Sequence, residues 1–549
     1  MQSKNPTAAK KPSPAATLPT KPFLERNANL VFGVLLLAFI LVGGLLFNTK
    51  LFLMGDDADY ILDALHFVKN NQYPGGRSSL YAMVLGIPIA LFGVNVVTLK
   101  LFSFLCAVGA FILLYFTFKK RIPYWLLFTA LLFLGINSGL QYYSSSNLSE
   151  AFYTLVQAFF LFAAFKLVDK LENGKSFKEN LGTWLVYGLA ALLISLSKNV
   201  ALLAPMTLPV YFLFKKQWRY AALAFGLFLA FKIPYEILLR AIYGVNTVAA
   251  QMDQVMAKDM YHFEYGKETL SGFIDRFFQN LKIYISGDMW AFLGFRKEPF
   301  EGTPVLYWII MVALCGYGAY YAFKKNAYIF ITALYLMIMM GVTFVALQPA
   351  VAQSRIVVIY VPLMLILFFY SLYAATAWGP QTLQRGVIIV AGVFMFTTTM
   401  GKTSKTIATN IDELSENLSG QPLYGFTPDW INYLEMGEYV SKNIPNNVMV
   451  AARKPNTLTM YSNGRPYYGV YKVSDNATAD ELLKELKDNN VHYLVLASLR
   501  ANPAQAVEGQ IINTLHRMAG TIAQKYPTQV KIVHTIGQTE PCYLVEVTY

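Results

Sequence analysis

Gly55-Asp56-Asp57-Ala58-Asp59-Tyr60 decides the reading of this chain, because its three carboxylates stand directly behind the first long apolar run, residues 30–47. A charge held at the centre of a membrane helix costs roughly 2.5 kcal/mol or more, so acids gathered at the mouth of such a run are either solvated loop or working site. A short amphipathic segment follows, then Arg77, then apolar sequence again. Within residues 57–70, Leu62, Leu65 and Val68 share one helical face while Asp59, Asp63 and His66 lie elsewhere, which predicts a helix at the membrane surface. Residues 79–92, interrupted by Gly86 and Pro88, are short for a span and read as an interfacial or re-entrant helix beside it. Two such helices would cradle the acidic pair.

Composition widens this reading to the whole chain. Of 549 residues 55% are hydrophobic and 14% charged, against about 25% charged in soluble globular domains. The fold class expected is therefore a polytopic α-helical membrane protein. A net charge of +13 would suit nucleic acid, but the lysines and arginines fall in small groups between apolar runs and form no basic stripe. No nucleic-acid partner is expected; membrane lipids are. Cys106, Cys315 and Cys542 offer neither a disulfide framework nor a metal-spaced set, and the five scattered histidines show no paired ligand spacing, so no zinc site is expected.

Apolar runs of near-membrane length number about eleven, from residues 30–47 through 122–140 to 387–400. With the N-terminus inside, Lys119-Lys120-Arg121, Lys166 through Lys178, Lys215-Lys216 with Arg219, Lys324-Lys325 and Arg385 all fall on one side, as the positive-inside rule requires. Residues 1–26, with Lys4, Lys10, Lys11, Lys21 and Arg26 among Pro, Ala, Ser and Thr, read as a disordered cytoplasmic tail ahead of an uncleaved anchor. Residues 27–400 form the expected membrane domain, with external loops 48–95 and 241–303. Residues 401–549 change to a soluble composition and form an expected extracytoplasmic α/β domain. Its expected helices are 429–443, 478–487 behind the capping box Thr478-Ala479-Asp480-Glu481, and 507–525; its expected strands are 447–452, 491–497, 530–535 and 543–548. No glycine-rich phosphate loop follows a strand. No internal repeat is apparent, which weighs against an inverted-repeat transporter.

This organisation resembles the GT-C glycosyltransferases of bacteria, the group that includes the aminoarabinose transferases of lipid A and the protein O-mannosyltransferases. In that family an acidic pair follows the first membrane helix, and a later Lys or Arg precedes a segment ending in Phe-Gly; here these are Asp56-Asp57, Arg77 and Phe92-Gly93. The resemblance implies a polyprenyl-phosphate-linked sugar donor and a lipid, glycan or protein acceptor. It places transfer on the external face of the inner (cytoplasmic) membrane, with inversion at the anomeric carbon. A transporter or flippase of lipid-linked saccharides is the alternative.

By the same resemblance Asp56 is the residue that activates or orients the acceptor and Asp57 its acidic neighbour; capping of the helix start is the plain alternative for both, and the two roles can hold together. Asp59 departs from the family's commoner basic or neutral residue, and its role stays open. Arg77 matches the basic residue that meets the donor phosphate, where a guanidinium binds in a bidentate fork; snorkelling at the interface is its plain alternative. Lys198, in Ser195-Leu196-Ser197-Lys198-Asn199, and Arg355, ahead of Tyr360-Val361-Pro362, join it as expected phosphate contacts. Tyr60, Glu150 at the head of the fourth span, and His262 and Glu264 within Tyr261-His262-Phe263-Glu264-Tyr265 are expected substrate or lid residues. Lys232, Glu236 and Arg240 form a stripe suited to ion pairing along one helix face. A divalent cation bridging Asp56 or Asp57 to phosphate is compatible with these residues, although lysine and arginine would neutralise the same charge.

Overall fold

The computed structural model describes residues 23–52, 55–75, 79–172, 177–245, 255–259, 265–296, 304–349, 354–474, 476–500, 511–512 and 514–549. Among them, eight helices are long and apolar enough to cross a membrane, and a bent pair makes up to nine. These are the helices of a multi-pass membrane protein.

The first apolar run is α1 (Ala28–Leu45), and the acidic stretch opens α2 (Asp56–Asn70). Gly55 at its N-cap has φ +90°, a left-handed conformation that favours glycine and turns the chain into α2. Helix α2 packs along α3 (Ser79–Phe92), as the amphipathic reading of the loop expects. The face it buries differs, however. Ala58, Ile61 and Ala64 enter the core, whereas Leu62 and Leu65 are half-buried and Val68 is exposed. Small residues let the two helices approach closely: a Cβ on Gly86 of α3 would stand 3.0 Å from the Val68 side chain.

Next come α4 (Val96–Phe118), α5 (Tyr124–Ile136) and α6 (Ser138–Ser144). The expected straight span 122–140 is broken here, α5 and α6 meeting at 67°. Asn137 is the cause: its side-chain oxygen accepts the Leu140 N–H (3.2 Å) and its amide donates to the Phe292 carbonyl (2.8 Å), offering the backbone a partner other than the helix ladder. The bundle continues through α7 (Ser149–Glu172), α8 (Leu181–Ser197), α9 (Thr207–Phe214) and α10 (Trp218–Tyr243). On α10 the expected Lys232–Glu236 pair is formed at 2.7 Å. Beyond α11 (Leu270–Asn280) lie a π-helical segment, Leu281–Asp288, and then α12 (Val305–Lys325), α13 (Ala327–Ala346), the turn Arg355–Val358 and α14 (Val361–Ala375).

Helix α15 (Gln381–Leu418) runs for 38 residues, straight through the composition change at Gly401. Composition reports which residues meet water, and a helix can leave the apolar layer without ending. Its polar half is tied down. Thr403 donates to the Ile136 carbonyl (2.7 Å), Asn410 caps the free carbonyls of Leu45 and Phe47 (2.9 and 3.1 Å), and Glu413 pairs with Lys50 at 2.6 Å.

The C-terminal region is α/β. Helices α16 (Pro428–Asn443), α17 (Pro455–Tyr461), α18 (Ala479–Asp488) and α19 (Thr514–Lys525) pack about a five-stranded sheet of order β2-β1-β3-β7-β6. Its strands are β1 (Met449–Ala452), β2 (Tyr468–Gly469), β3 (Val491–Leu496), β6 (Val530–Ile536) and β7 (Cys542–Val547). β1, β2 and β3 run parallel, and β6 and β7 close the sheet antiparallel. The capping box at Thr478 and Glu481 is formed. The helix expected from residue 507 begins instead at Thr514; Ile511–Ile512 is β5, paired with β4 (Leu499–Arg500). The short α17, which the sequence reading passed over, docks on α2.

Candidate active site

Helix α2 carries its acids into the bundle by its first turn. Asp56 meets Arg355 at 2.5 Å, and Asp57, fully buried, faces Lys100 of α4 at 3.4 Å. An isolated charge in such surroundings is very costly, and pairing is what makes its burial tolerable. Burial still pushes the Asp57 carboxyl above its ordinary range, against the opposing pull of Lys100 and the Phe52 N–H. Burial works against the Arg355 charge as well, but Asp56, Glu150 and Tyr60 outweigh it and hold the guanidinium above its ordinary value.

A third pair stands next to these. Lys198, at the end of α8, donates to Glu150 at the start of α7 (2.9 Å), so the lone charge of that stretch has its partner inside the protein. Tyr60 donates to Ser149 at 3.3 Å, tying α2 to the same helix start, and packs edge-on to Tyr81 of α3. The loop between α6 and α7 closes the group: Ser145 accepts from Lys100 at its carbonyl (3.1 Å) and from the Asn48 N–H at its hydroxyl (3.2 Å). The structure therefore brings Asp56, Asp57, Tyr60, Glu150, Lys198 and Arg355 to one end of the bundle. Arg77, His262 and Glu264 lie outside the described residues.

Next to Arg355 in sequence, Ser354 lines a cavity of about 390 Å³ that is also bounded by Tyr142, Tyr143, Phe292, Asp288, Arg296 and Lys402. Asp288 accepts from Ser354 at 2.9 Å, and its burial raises its carboxyl above the ordinary range while that hydroxyl opposes the rise. Several buried polar atoms nearby have no partner among the described residues: both side-chain atoms of Asn147, Oε2 of Glu150 and Oδ1 of Asp57. Buried polar groups are almost always satisfied, so these atoms stand out among the described residues.

The charge of Asp56 and Asp57 is met by side chains. Among the described residues, no group of three His, Cys, Asp or Glu gathers where a divalent cation would sit. Sequence reasoning missed Lys100, Asn147, Arg296 and Lys402. Lys100 had a usable signal, a single cation inside an apolar run, the same signal that drew attention to Lys198. Asp59, whose role the sequence left open, accepts from Asn456 of α17 at 2.7 Å and so joins the site helix to the C-terminal domain.

No protein-family model and no curated protein matches the sequence. Solved structures match it in fold. The crystal structure of ArnT from Cupriavidus metallidurans bound to undecaprenyl phosphate aligns over 95% of this chain and 98% of that one, with 13% identity and a TM-score of 0.53; the apo state gives 0.54. The archaeal oligosaccharyltransferase AglB from Archaeoglobus fulgidus, in complex with an inhibitory peptide and a dolichol-phosphate, aligns over 95% of this chain and 74% of that one, with 12% identity and a TM-score of 0.54. Both are members of the GT-C superfamily, and the fold this chain shares with them over nearly all of its length is the GT-C fold.

Proposed function

We propose that this chain is a membrane glycosyltransferase that moves a sugar from a polyprenyl-phosphate-linked donor to a hydroxyl or amine of a lipid, glycan or protein. The reaction takes place on the extracytoplasmic face of the inner membrane, with the N-terminus of the chain in the cytoplasm. The observation that carries this reading is the Asp56–Arg355 pair at 2.5 Å, one residue along the chain from Ser354, which borders a cavity together with Arg296 and Lys402. Structures of the same fold hold undecaprenyl phosphate in one case and dolichol-phosphate in the other, which supports a carrier of that class as donor.

The pair suggests an order of events. A donor phosphate competes for the guanidinium of Arg355, and Asp56 is then left to accept a hydrogen bond from the acceptor. The acceptor oxygen or nitrogen attacks the anomeric carbon as the bond from that carbon to the phosphate oxygen breaks. Its proton passes to Asp56, and the electron pair leaves with the polyprenyl phosphate. Arg355, Arg77 and Lys198 stabilise the departing charge, with Glu150 releasing Lys198 toward it. A single displacement inverts the anomeric carbon.

The test compares wild type with Asp56→Asn in lipid nanodiscs supplied with host lipid extract, following free polyprenyl phosphate and the mass of acceptors. Release with a sugar-mass shift in wild type alone is expected. Equal release from both proteins would remove Asp56 from the mechanism, and release without any acceptor shift would replace transfer by hydrolysis.

A further inference from the structure

At the end of the bundle away from the acid–base pairs, a groove of about 1180 Å³ opens between α5, α15 and the helical turn Phe23–Arg26. Lys120 and Arg385 stand at its mouth with Glu25, leaving one positive charge in excess. Its walls are apolar: Leu132 and Phe133 from α5, and Ile388, Val393 and Phe396 from α15. Gly392 also lines it, and a Cβ there would meet nothing within 4 Å.

The height of the groove is informative. From Arg385 to Phe396 the helix rises about 16 Å at roughly 1.5 Å per residue, and one leaflet of hydrocarbon is about 15 Å deep, half of the ~30 Å core. A slot one leaflet tall, apolar along its length and cationic at its mouth, has the dimensions and charge of a single membrane lipid. Basic pockets between membrane helices bind anionic head groups.

We infer that this groove holds an anionic glycerophospholipid. Its phosphodiester lies between Lys120 and Arg385, and an acyl chain runs along Phe133, Val393 and Phe396. The segment of this chain ahead of Phe23 fits less well, because Lys10, Lys11 and Lys21 would bring like charge to a cationic mouth. A zwitterionic lipid fills the slot but gains nothing from the excess charge.

Native mass spectrometry of the full chain tests this, with phosphatidylglycerol and phosphatidylethanolamine of identical acyl chains added in equal amounts. Wild type is expected to retain phosphatidylglycerol preferentially. Joint substitution Lys120→Gln and Arg385→Gln should reduce that preference by about tenfold or more. Gly392→Leu, which grows into the open slot, should weaken binding of both lipids while the thermal transition in lipid-free detergent stays in place. Equal retention of the two lipids by wild type, undiminished binding by Gly392→Leu, or a co-purified polyprenyl phosphate in place of phospholipid would each overturn the assignment.

Discussion

The two ends of the helix bundle use the same residue types differently. At one end, Arg121 pairs with Asp169, Lys119 donates to Asn29 at 2.8 Å, Asn326 donates to the Arg121 carbonyl at 2.8 Å, and Lys215 reaches the Phe323 carbonyl. These contacts gather the basic clusters at one level, and Lys119, Arg121 and Lys215 also lie against aromatic rings. At the other end, Asp57 and Lys100 are 0% and 2% exposed, and Glu150 is 3% exposed. Exposed cations at the basic end, such as Lys120 and Lys215, serve topology and anchoring, while Arg121 is itself mostly buried against Asp169. Charges taken out of water, as at Asp57, Lys100 and Glu150, must be held in place by one another.

This contrast can be tested from its strongest consequence downward. Asp56→Asn should lower transfer by about 10²–10⁴-fold, the usual contribution of a positioned acid or base, as read by polyprenyl phosphate release. Lys100→Met strands the Asp57 carboxylate and should cost about 3–5 kcal/mol in thermal unfolding; adding Asp57→Leu should recover most of it, because an apolar pair can replace a buried ionic one. Asn456→Ala removes a hydrogen bond to the Asp59 carboxylate, worth about 1.5–3 kcal/mol, and should raise hydrogen exchange in the first turns of α2. At the basic end, Arg121→Gln removes a mostly buried charge-assisted hydrogen bond to Asp169 and should cost about 1.5–3 kcal/mol but leave transfer unchanged. Loss of transfer in Arg121→Gln as large as in Asp56→Asn would dissolve the distinction between the two ends.

Much of this architecture is legible in the chain itself, because apolar length and period set where helices and strands form. The helices Asp56–Asn70 and Ser79–Phe92, the capping box at Thr478 and the strand at Val491–Leu496 are read from local pattern alone. Contacts between distant segments are another matter. That Arg355 closes on Asp56, and that Lys100 rather than Lys198 stands against Asp57, depends on how α2, α4 and the turn before α14 are packed. Asn137 breaks a span because Phe292 offers its amide a partner, which no local window shows. Helix α17 is a single short element, and its position on α2 is visible only once Asn456 meets Asp59.

Helix α15 has a consequence for what this protein can accept. Its 38 residues make a rod of about 57 Å, against a hydrocarbon layer of ~30 Å. The stretch that outlasts the membrane is locked to the segment after α1, at Phe47 and Lys50, through Asn410 and Glu413. It acts as a mast, holding the C-terminal domain at a set height above the lipid while α17 braces the acidic helix from above. On the proposed function, an acceptor would arrive beneath a ceiling, and the clearance under that ceiling, rather than the chemistry proposed at Asp56, would set how bulky it can be.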